Sequence, residues 1–464
     1  MDEILKSVLK EVKPTPADRK RLEQVAAELI GQTNAACAKL DIDAKAMLVG
    51  SAARDTWLRS ERDIDVFILF PEELPREELE RQGLAVAREV AGAKGKEQFA
   101  EHPYVTMKFK GFDVDLVPCY DVAKPSEIKS AVDRSPHHQR YITEYLTSEL
   151  ADEVLLTKQF MLGVGCYGSE LKVQGFSGYL CELLVSHYGS FEKLVEGASG
   201  WKPSTVIDPE RSYPDPSEAK RMFEKQPLIV IDPVDASRNV GAAISMQNFA
   251  TFVRACQDFA RGSSRRFFFP KPVRRLSARQ IQATLERRGT AVFCVAFSPP
   301  DVVPDVLYPQ LRKAERTLVT RLTLAGFEVM RSDVWSNSRA LILLELAAAK
   351  LPRVRTHIGP PVSIEVGNFI RAHLKSKRKF AGPFAGATGQ LIFELERERP
   401  NSRKVLEQAL REHATLGRHV GEAISKSYRI YEGNQIVKLC KDEEVREFIS
   451  EYLTRCLPWY RSSV

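Results

Sequence analysis

The sequence predicts an α+β protein of several domains, because its hydrophobic pattern changes twice along the chain. Strand-like runs and helical patterns are mixed up to residue 143, helical patterns dominate 144–262, and a strand–helix–strand–strand order follows. A chain of 464 residues is long enough for two to four domains. We therefore expect a small mixed α/β domain at 1–143, a mainly helical central domain at 144–262 and a C-terminal body at 263–464.

The N-terminal domain is expected to contain a well-marked helix followed by four strands. Thr15 is a typical N-cap, Pro16 suits the first helical position, and Asp18 stands where a capping box needs an acceptor. Apolar residues then recur at helical spacing, at Leu22, Val25, Ala26 and Leu29. The strands are predicted near four segments, 46–51, 63–70, 103–110 and 112–118.

The strand 63–70, with the sequence Asp-Ile-Asp-Val-Phe-Ile-Leu-Phe, carries the most informative pattern. Residues two apart in a strand share a face and lie about 6.6 Å apart, so Asp63 and Asp65 project together. The rest of the run is apolar on both faces, which predicts a buried strand. Two carboxylates at its end would have raised pKa values unless a cation neutralised them. Oxygen ligands of this kind favour Mg²⁺. The structural alternative is a pair of aspartates at the exposed start of an edge strand.

A second strand-like run, 112–117, also places acids on one face. Asp113, Asp115 and Val117 share that face, and the alternate residues are apolar. A third carboxylate from this strand would complete a site for two metal ions about 3.5–4 Å apart, which can clamp the oxygens of a phosphoryl displacement. Alternation alone leaves the choice between Asp113 and Asp115 open.

A short strand ahead of the acidic pair ends at Gly50-Ser51. Glycine lets the backbone approach a ligand closely, and a serine hydroxyl with neighbouring amides can hold a phosphate. Arg54 follows three residues later and offers a fork of donors that suits phosphate oxygens. Together with the acidic pair, this spacing indicates a site for a nucleotide and a metal ion.

The C-terminal body begins with a strand at 291–296, a helix at 308–324 and strands at 327–330 and 340–344. This β-α-β-β order predicts a ferredoxin-like half, a fold that often contacts RNA. Breaks rich in Pro and Gly at 359–361 and 382–386 flank a basic segment. We interpret the region from about 352 to 395 as an inserted tail.

Positive charge is concentrated in two segments, although the net charge of the chain is only +7. Residues 261–288 include nine Lys or Arg, one acid (Glu286) and the run Phe267-Phe-Phe269. Residues 371–379 contain five bases and no acid. Such clusters are typical of surfaces that contact a phosphate backbone. The alternative is a solvated basic helix face.

Other features of the sequence exclude several classes of protein. The eight cysteines are scattered without a Cys-x-x-Cys pair, which argues against a zinc site and a disulfide framework. The longest apolar run, 340–349, is interrupted by Glu345 and is too short to span a bilayer. The N-terminal residues lack the apolar region of a signal peptide. We therefore expect a soluble cytoplasmic protein without membrane contact.

At Gly50-Ser51, at the acidic pair and at the third acid, the sequence resembles the polymerase β-like nucleotidyltransferase superfamily. More specifically, it resembles the archaeal-type, class I CCA-adding enzymes, which are tRNA nucleotidyltransferases. Bacterial-type relatives use a Glu-Asp-x-x-Arg signature, and this chain has no Glu-Asp dipeptide. The resemblance covers most of the chain, is weakest between about 330 and 415, and rests on 50–58, 100–105, 115–120, 131–135, 175–183, 230–235, 238–240, 289–292 and 307–311.

The resemblance implies a catalytic triad of Asp63, Asp65 and Asp115, which would also be the metal ligands. The family often has Glu at the first of these positions. Ser51 and Arg54 match residues that hold the phosphates of the nucleotide. Further contacts to the phosphates, sugar or base of the nucleotide are implied for His138, Lys158, Tyr167 and Arg238. Their structural alternatives are a surface-loop histidine, a lysine on the solvent side of a helix, a core tyrosine, and an arginine paired with a nearby aspartate.

The resemblance also implies the function. The chain would add or repair the 3′-terminal CCA of tRNA without a template, with CTP and ATP as substrates and pyrophosphate as product. The expected cofactor is Mg²⁺, as two ions. The expected partner is tRNA, through its acceptor stem and 3′ end, and a homodimer is also possible. The alternatives are a poly(A) polymerase-like RNA nucleotidyltransferase and a catalytically idle RNA-binding protein. The complete set of three acids argues against the idle protein.

Overall fold

The structure is a computed structural model that describes residues 2–99 and 102–461. Its compact packing divides these residues into two units. The N-terminal unit contains residues 2–272 together with the C-terminal residues 456–461, and the C-terminal unit contains residues 273–455.

The first part of the N-terminal unit is a five-stranded mixed sheet with helices. Strand β2 pairs in parallel with β5 in the order β1-β2-β5-β4-β3, and the other neighbours are antiparallel. The elements are α1 (Asp2–Val12), α2 (Pro16–Lys39), β1 (Lys45–Val49), α3 (Gly50–Arg54), β2 (Asp63–Phe70), α4 (Arg76–Ala91), β3 (Lys96–Phe99), β4 (Pro103–Phe109) and β5 (Phe112–Tyr120).

The predicted elements of this region are largely confirmed. Helix α2 begins with the expected capping box, in which the Thr15 hydroxyl accepts from the Asp18 amide at 3.1 Å and the Asp18 carboxylate accepts from the Thr15 amide at 2.9 Å. The first predicted strand ends two residues too late, because the chain turns into α3 at Gly50. Strand β3 was not predicted, since its short mixed-charge sequence shows no alternation and is held only by pairing with β4.

Strand β2 is buried on both faces from Val66 onward, as predicted. Ile64, Val66, Ile68 and Phe70 pack with α2 and α4 in the main core of this region. Phe67 and Leu69, on the face that carries the aspartates, join a smaller apolar cluster with Val49 and Cys119. The start of the strand is therefore the only place where its carboxylate face reaches solvent.

The rest of the N-terminal unit is mainly helical, as predicted. Its core is rich in aromatic rings, and the ring centroid of Phe160 lies 5.3–6.2 Å from those of five other phenylalanines. None of the helices in the described ranges is long and apolar enough to cross a membrane. The elements are α5 (Arg134–Tyr145), α6 (Ser148–Val164), α7 (Gly178–Tyr188), α8 (Phe191–Ser199), β6 (Thr205–Ile207), α9 (Pro216–Met222), β7 (Leu228–Val230) and α10 (Met246–Arg261).

The basic segment 261–288 does not form one free basic surface. Phe267 and Phe268 are buried in the aromatic core of the N-terminal unit rather than displayed for a ligand. Three of the nine bases form ion pairs within the protein: Arg265 with Glu11, Arg275 with Glu443 and Glu447, and Arg288 with Glu345. The aromatic and charged residues of this segment therefore have structural roles that composition did not reveal.

The C-terminal unit is built on a four-stranded antiparallel sheet in the order β14-β8-β10-β9. Helices α12, α14 and α15 pack on one face, and α11 and α16 pack on the other. Its elements are α11 (Ala278–Arg288), β8 (Ala291–Phe297), α12 (Pro304–Leu324), β9 (Val329–Ser336), β10 (Ala340–Leu346), α14 (Ser402–Arg411), α15 (Arg418–Lys426), β14 (Tyr428–Glu432) and α16 (Glu443–Thr454), with an inserted segment between β10 and α14.

The predicted β-α-β-β order is present as β8-α12-β9-β10. The second of its strands was placed too early, at 327–330, whereas β9 runs over Val329–Ser336. Its middle residues Arg331, Ser332 and Asp333 are polar, which hid the strand from the hydrophobic pattern. They are tolerated because β9 is an edge strand of the sheet.

The inserted elements form a separate three-stranded sheet in the order β11-β13-β12. They are β11 (Val354–Pro361), α13 (Gly367–Leu374), β12 (Lys379–Ala385) and β13 (Gln390–Glu396). The predicted breaks at 359–361 and 382–386 are wrong, because nearly all of these residues lie in β11 and β12. Both are edge strands with register irregularities beside their prolines, positions where a strand tolerates a missing amide donor.

Candidate active site

Two of the predicted acids lie side by side in a cavity of the N-terminal unit. The parallel register of β2 and β5 sets Asp65 opposite Asp115 and Asp63 opposite Asp113. The cavity has a volume of about 330 Å³, and its lining includes Gly50, Arg54, Asp65, Asp115, His138 and Tyr179. Four of the predicted site residues, from four different segments of the chain, therefore meet in one space.

The structure places the two candidates for the third acid in different surroundings. Asp113 is exposed, and its carboxylate pairs with Lys108 at 2.8 Å. Asp115 is partly buried and lines the cavity. The two residues share a face of the strand, but only Asp115 lies deep enough along β5 to stand beside Asp65.

Burial and mutual repulsion oppose ionisation of these acids. Burial raises the pKa of Asp65 to about 6, with further contributions from Asp115 and Asp63 and an opposing effect of Arg54. Burial likewise raises the pKa of Asp115 to about 6, followed by Asp63 and Asp113. The pKa of Asp63 is raised by burial and by Glu61, while Lys158 opposes the rise.

The carboxylates of Asp63, Asp65 and Asp115 are chemically suited to bind a divalent cation. All the donors are carboxylate oxygens, and a bound cation would relieve the repulsion that raises their pKa values. In the described part of the chain, no three His, Cys, Asp or Glu side chains are already grouped as a metal site. Asp63, at the exposed start of β2, is absent from the lining of the cavity that Asp65 and Asp115 share.

Gly50 leaves space for the Asp65 carboxylate. Its backbone has φ +77°, and a Cβ atom built on it would lie 2.4 Å from Oδ2 of Asp65. Any other residue would therefore strain the backbone and displace the acid. Ser51 follows as a partly buried residue of the short helix α3 and does not line the cavity.

Arg54 is held from behind by a buried carboxylate. Its Nε donates to Oε1 of Glu182 on α7 at 2.9 Å, and its Nη1 donates to Oε1 of Gln139 at 2.7 Å. The Thr56 hydroxyl donates to the same oxygen of Glu182. Glu182 is fully buried and was missed as a functional residue. The available signal was an acid inside the apolar helical run 180–185.

His138 belongs to a second network around a buried acid, Asp232. Its ring stacks on Tyr179 with 4.0 Å between centroids, and its Nε2 lies 2.9 Å from Oδ2 of Asp232. Arg238 donates from Nη1 to the same oxygen at 2.6 Å, and the Tyr179 hydroxyl donates to Oδ1 at 3.3 Å. Burial lowers the pKa of His138, although Asp232 opposes this. The arginine and the histidine thus share one carboxylate.

Lys158 and Tyr167 form a third group around Glu61. The structural alternative for Lys158, a position on the solvent side of its helix, is wrong, because its side chain is only 1% exposed. Its Nζ lies 3.6 Å from Oε2 of Glu61, and the Tyr167 hydroxyl donates to Oε1 at 3.1 Å. Neither residue lines the cavity with Asp65 and Asp115. Glu61 raises the pKa of Asp63 and Lys158 lowers it, so both residues act electrostatically on the first acid.

Part of one motif lies outside the described residues. Ala100 and Glu101 of the stretch 100–105 lie outside the described ranges, whereas His102 and Tyr104 of the same stretch line the cavity.

Three family models match successive parts of the chain. A nucleotidyltransferase domain matches residues 30–138, and the second domain of tRNA nucleotidyltransferase matches residues 152–269. The C-terminal domain of CCA-adding enzymes matches residues 288–433. The three predicted acids lie in the first of these matches, and Lys158 and Glu182 lie in the second.

Full-length relatives agree with these matches. The chain is 43% identical to the CCA-adding enzyme of Methanosarcina acetivorans, over 96% of this chain and 97% of the relative. It is 41% identical to the CCA-adding enzyme of Halobacterium salinarum, over 94% of this chain and 95% of the relative. A cytoplasmic RNA terminal U-transferase of known structure is more distant, with a TM-score of 0.45 and 15% identity over 57% of this chain and 96% of that one. The chain therefore belongs to the family of archaeal CCA-adding enzymes, which are tRNA nucleotidyltransferases.

Proposed function

We propose that the chain adds C, C and A in turn to the 3′ end of tRNA, taking CTP and ATP as substrates and releasing pyrophosphate. The observation that carries this proposal is the cavity in which Asp65 and Asp115 stand side by side with Arg54 and His138. Such a space offers acids that would hold metal ions at the reacting phosphate, and cationic or polar groups for the rest of a nucleotide. The extent of the similarity to CCA-adding enzymes supports the choice of product.

In this proposal Asp63, Asp65 and Asp115 are the catalytic acids and would hold two Mg²⁺ ions. When bound, the ions would neutralise the acids and the phosphates and stabilise the charge that develops on the α-phosphate. Asp115 helps to align the terminal ribose hydroxyl for in-line attack. The new bond joins that oxygen to the α-phosphorus, and the bond to the β-phosphate oxygen breaks to release pyrophosphate.

The remaining predicted residues would position the nucleotide. Arg54 would contact phosphate oxygens through Nη2, because its Nε donates to Glu182 and its Nη1 donates to Gln139. Ser51 would add a hydroxyl at the phosphates. Arg238 is the candidate for base contact, since it is only partly buried and is oriented by Asp232. The other proposed nucleotide contacts are His138, Lys158 and Tyr167.

Each of the three domains predicted from the sequence has a proposed role. Residues 1–143 would form the catalytic domain and 144–262 a domain that closes over the nucleotide. Residues 263–464 would bind the acceptor stem of tRNA. The order β-α-β-β followed by helices and β14, with sheet order β14-β8-β10-β9, supports a ferredoxin-like body in this last part. The inserted tail at about 352–395 would contact tRNA as well, and a homodimer and a cytoplasmic location complete the proposal.

Product length is the direct test of this function. The protein is incubated with Mg²⁺ and a tRNA that lacks its CCA, with CTP and ATP supplied separately and together, and the products are sized on a sequencing gel. We expect about two added nucleotides with CTP alone and about three with both, because addition should stop at a complete CCA. A long ladder with ATP alone would instead identify a poly(A) polymerase-like enzyme, and no addition would leave an RNA-binding protein.

A second test concerns the basic segment 371–379. Lys375, Lys377 and Lys379 form no ion pair with any residue in the described ranges, so their charges are available to a ligand. Charge reversal of these three lysines to glutamate should weaken tRNA binding. For each phosphate that the variant no longer neutralises, the slope of log affinity against log salt should fall by about 0.7–0.9. Filter binding over a range of salt concentrations measures both quantities.

The control for this test reverses three exposed lysines of the N-terminal unit, Lys6, Lys10 and Lys20. It changes the net charge by the same amount. An unchanged salt slope in the 375/377/379 variant, or an equal loss in the control, would contradict a specific role for the tail.

A further inference from the structure

A second polar cavity opens at one end of the four-stranded sheet of the C-terminal unit. It has a volume of about 440 Å³. The register pairs Phe297 of β8 with both Ala340 of β10 and Tyr428 of β14. At this end Ser298 follows β8, Arg339 precedes β10 and Ser427 precedes β14. Three polar residues therefore lie next to one another at the end of the sheet. We call this space the sheet-end cavity.

The sheet-end cavity is lined by hydrogen-bond donors that the protein leaves unused. Arg339 and Arg429 form no ion pair with any other residue that the structure describes. Across the same described residues, the side-chain hydroxyls of Ser298, Ser427 and Tyr428 make no hydrogen bond. Two guanidinium groups and several hydroxyls therefore face one space without an internal acceptor.

Asp442 interacts with Arg339, but its carboxylate is already held by other donors. Asp442 is close enough for Arg339 to contribute to the lowering of its pKa, after the hydrogen bond from Ser338. Its carboxylate already accepts from the Ser338 hydroxyl at 2.8 Å and from the amides of Glu444 and Val445 at 3.0 and 3.3 Å. Asp442 thus serves as the N-cap of α16, and within the described residues no ion pair shorter than 4.0 Å joins it to Arg339.

We propose that the sheet-end cavity binds a backbone phosphate of the RNA substrate. The inference rests on the proposed function, which supplies RNA as the partner. Guanidinium forks and hydroxyls are the donors that phosphate oxygens accept best, and Arg keeps its charge at every physiological pH. Both arginines are exposed, which suits a phosphodiester on the surface of a large ligand. The cavity would fix the RNA body while the 3′ end reacts in the other unit.

The test uses the full-length double variant Arg339→Gln/Arg429→Gln. We expect weaker binding of a tRNA that lacks CCA, and a salt slope lowered by about 0.7–0.9 for each phosphate that is no longer neutralised. The KM for CTP and the kcat at saturating tRNA should stay at the parent values, because neither arginine belongs to the active site. Filter binding and steady-state kinetics provide these numbers, and thermal melting verifies the fold.

Arg418→Gln is the control, and it removes one positive charge where the double variant removes two. Arg418 is an exposed arginine of the same unit, but it is paired with Glu422 on its own helix at 3.7 Å. This variant should keep the parent salt slope. An equal loss in the control would reduce the effect to net charge and overturn the proposal, as would an unchanged slope in the double variant.

Inorganic phosphate distinguishes a free anion from the RNA backbone. If calorimetric titration shows phosphate binding that the double variant loses while its RNA salt slope is unchanged, the ligand is a free phosphate and the proposal fails. The activity of the parent protein distinguishes failure of the proposed function from failure of the sheet-end site. A parent that adds no CCA refutes the proposed function, whereas a parent that adds CCA alongside a double variant with normal RNA binding refutes only the sheet-end site.

Discussion

Replacing Asp65 by alanine is expected to abolish nucleotide addition while tRNA binding stays nearly intact. Asp65 stands opposite Asp115 in the parallel register and lines the cavity with Arg54. The change removes one of the acids that would hold the metal ions at the reacting phosphate, so we expect a fall in kcat of about 10³-fold or more. Single-turnover addition of CMP, with tRNA affinity measured in parallel by filter binding, checks both parts of the expectation.

The fold should survive this substitution. Burial, Asp115 and Asp63 all oppose ionisation of Asp65, so alanine removes a charge that the folded protein tolerates poorly. We expect the melting temperature of the variant in EDTA to be no lower than that of the parent. A loss of activity that coincides with unfolding would not bear on catalysis, which is why both measurements are needed.

Asp113→Ala is the matched control for Asp65→Ala. Asp113 lies on the same face, two residues before Asp115, but it is exposed and pairs with Lys108. Its removal should leave most of the activity, because an exposed ion pair contributes little and the residue does not line the cavity. Strong residual addition by Asp65→Ala would remove Asp65 from the catalytic acids. A loss of activity in Asp113→Ala as large as that in Asp65→Ala would restore Asp113 as a candidate.

The second large effect is expected from Glu182→Ala. Glu182 is fully buried, and the side chain of its partner Arg54 is only 8% exposed. Alanine would leave the Arg54 charge and the Thr56 hydroxyl buried without their acceptor. We expect the free energy of unfolding to fall by about 3–5 kcal/mol. Because Arg54 would no longer be fixed at the cavity, kcat/KM for CTP should fall by about 10²-fold.

A double-mutant cycle separates the buried charge from simple loss of packing. Arg54→Ala/Glu182→Ala removes both charges, so its loss of stability should be smaller than the sum of the two single losses. Glu182→Gln keeps an acceptor oxygen and should lie between the parent and Glu182→Ala. Denaturant unfolding measures all four proteins of the cycle and the glutamine variant. Additive losses would show that Arg54 and Glu182 act independently and would contradict the positioning role.

A surface pair supplies the matched comparison. Glu78 and Arg81 form an ion pair of similar length on α4, but both side chains are exposed to solvent. Glu78→Ala should leave stability and CTP kinetics at the parent values, because water already solvates both charges. A similar loss from Glu78→Ala would mean that burial is not what makes Glu182 important.

The sequence by itself determined the parts of the site that depend on local pattern. The alternation in 63–70 places Asp63 and Asp65 on one face, and the apolar residues after them require a buried strand; the structure has both features. The capping box of α2 follows from three neighbouring residues and is also present. These features are local because a strand face and a helix cap are set by residues a few positions apart.

Boundaries and edge strands were less predictable from the same pattern. Strand β9 and the strands of the inserted sheet carry polar residues, Pro and Gly that a hydrophobic pattern reads as loop. They form strands because a neighbouring strand supplies the hydrogen bonds. An edge position also relaxes the demand for apolar residues and for amide donors.

Only the tertiary structure decided which polar residues meet. Asp113 and Asp115 are equivalent by alternation, and the depth of each along β5 separates them. Lys158 fits the solvent face of a helix by its spacing, yet the packing of α6 buries it beside Glu61. Glu182 and Asp232 orient Arg54 and His138 from distant segments of the chain. A buried charge must find its partner in three dimensions, and sequence separation carries no information about that distance.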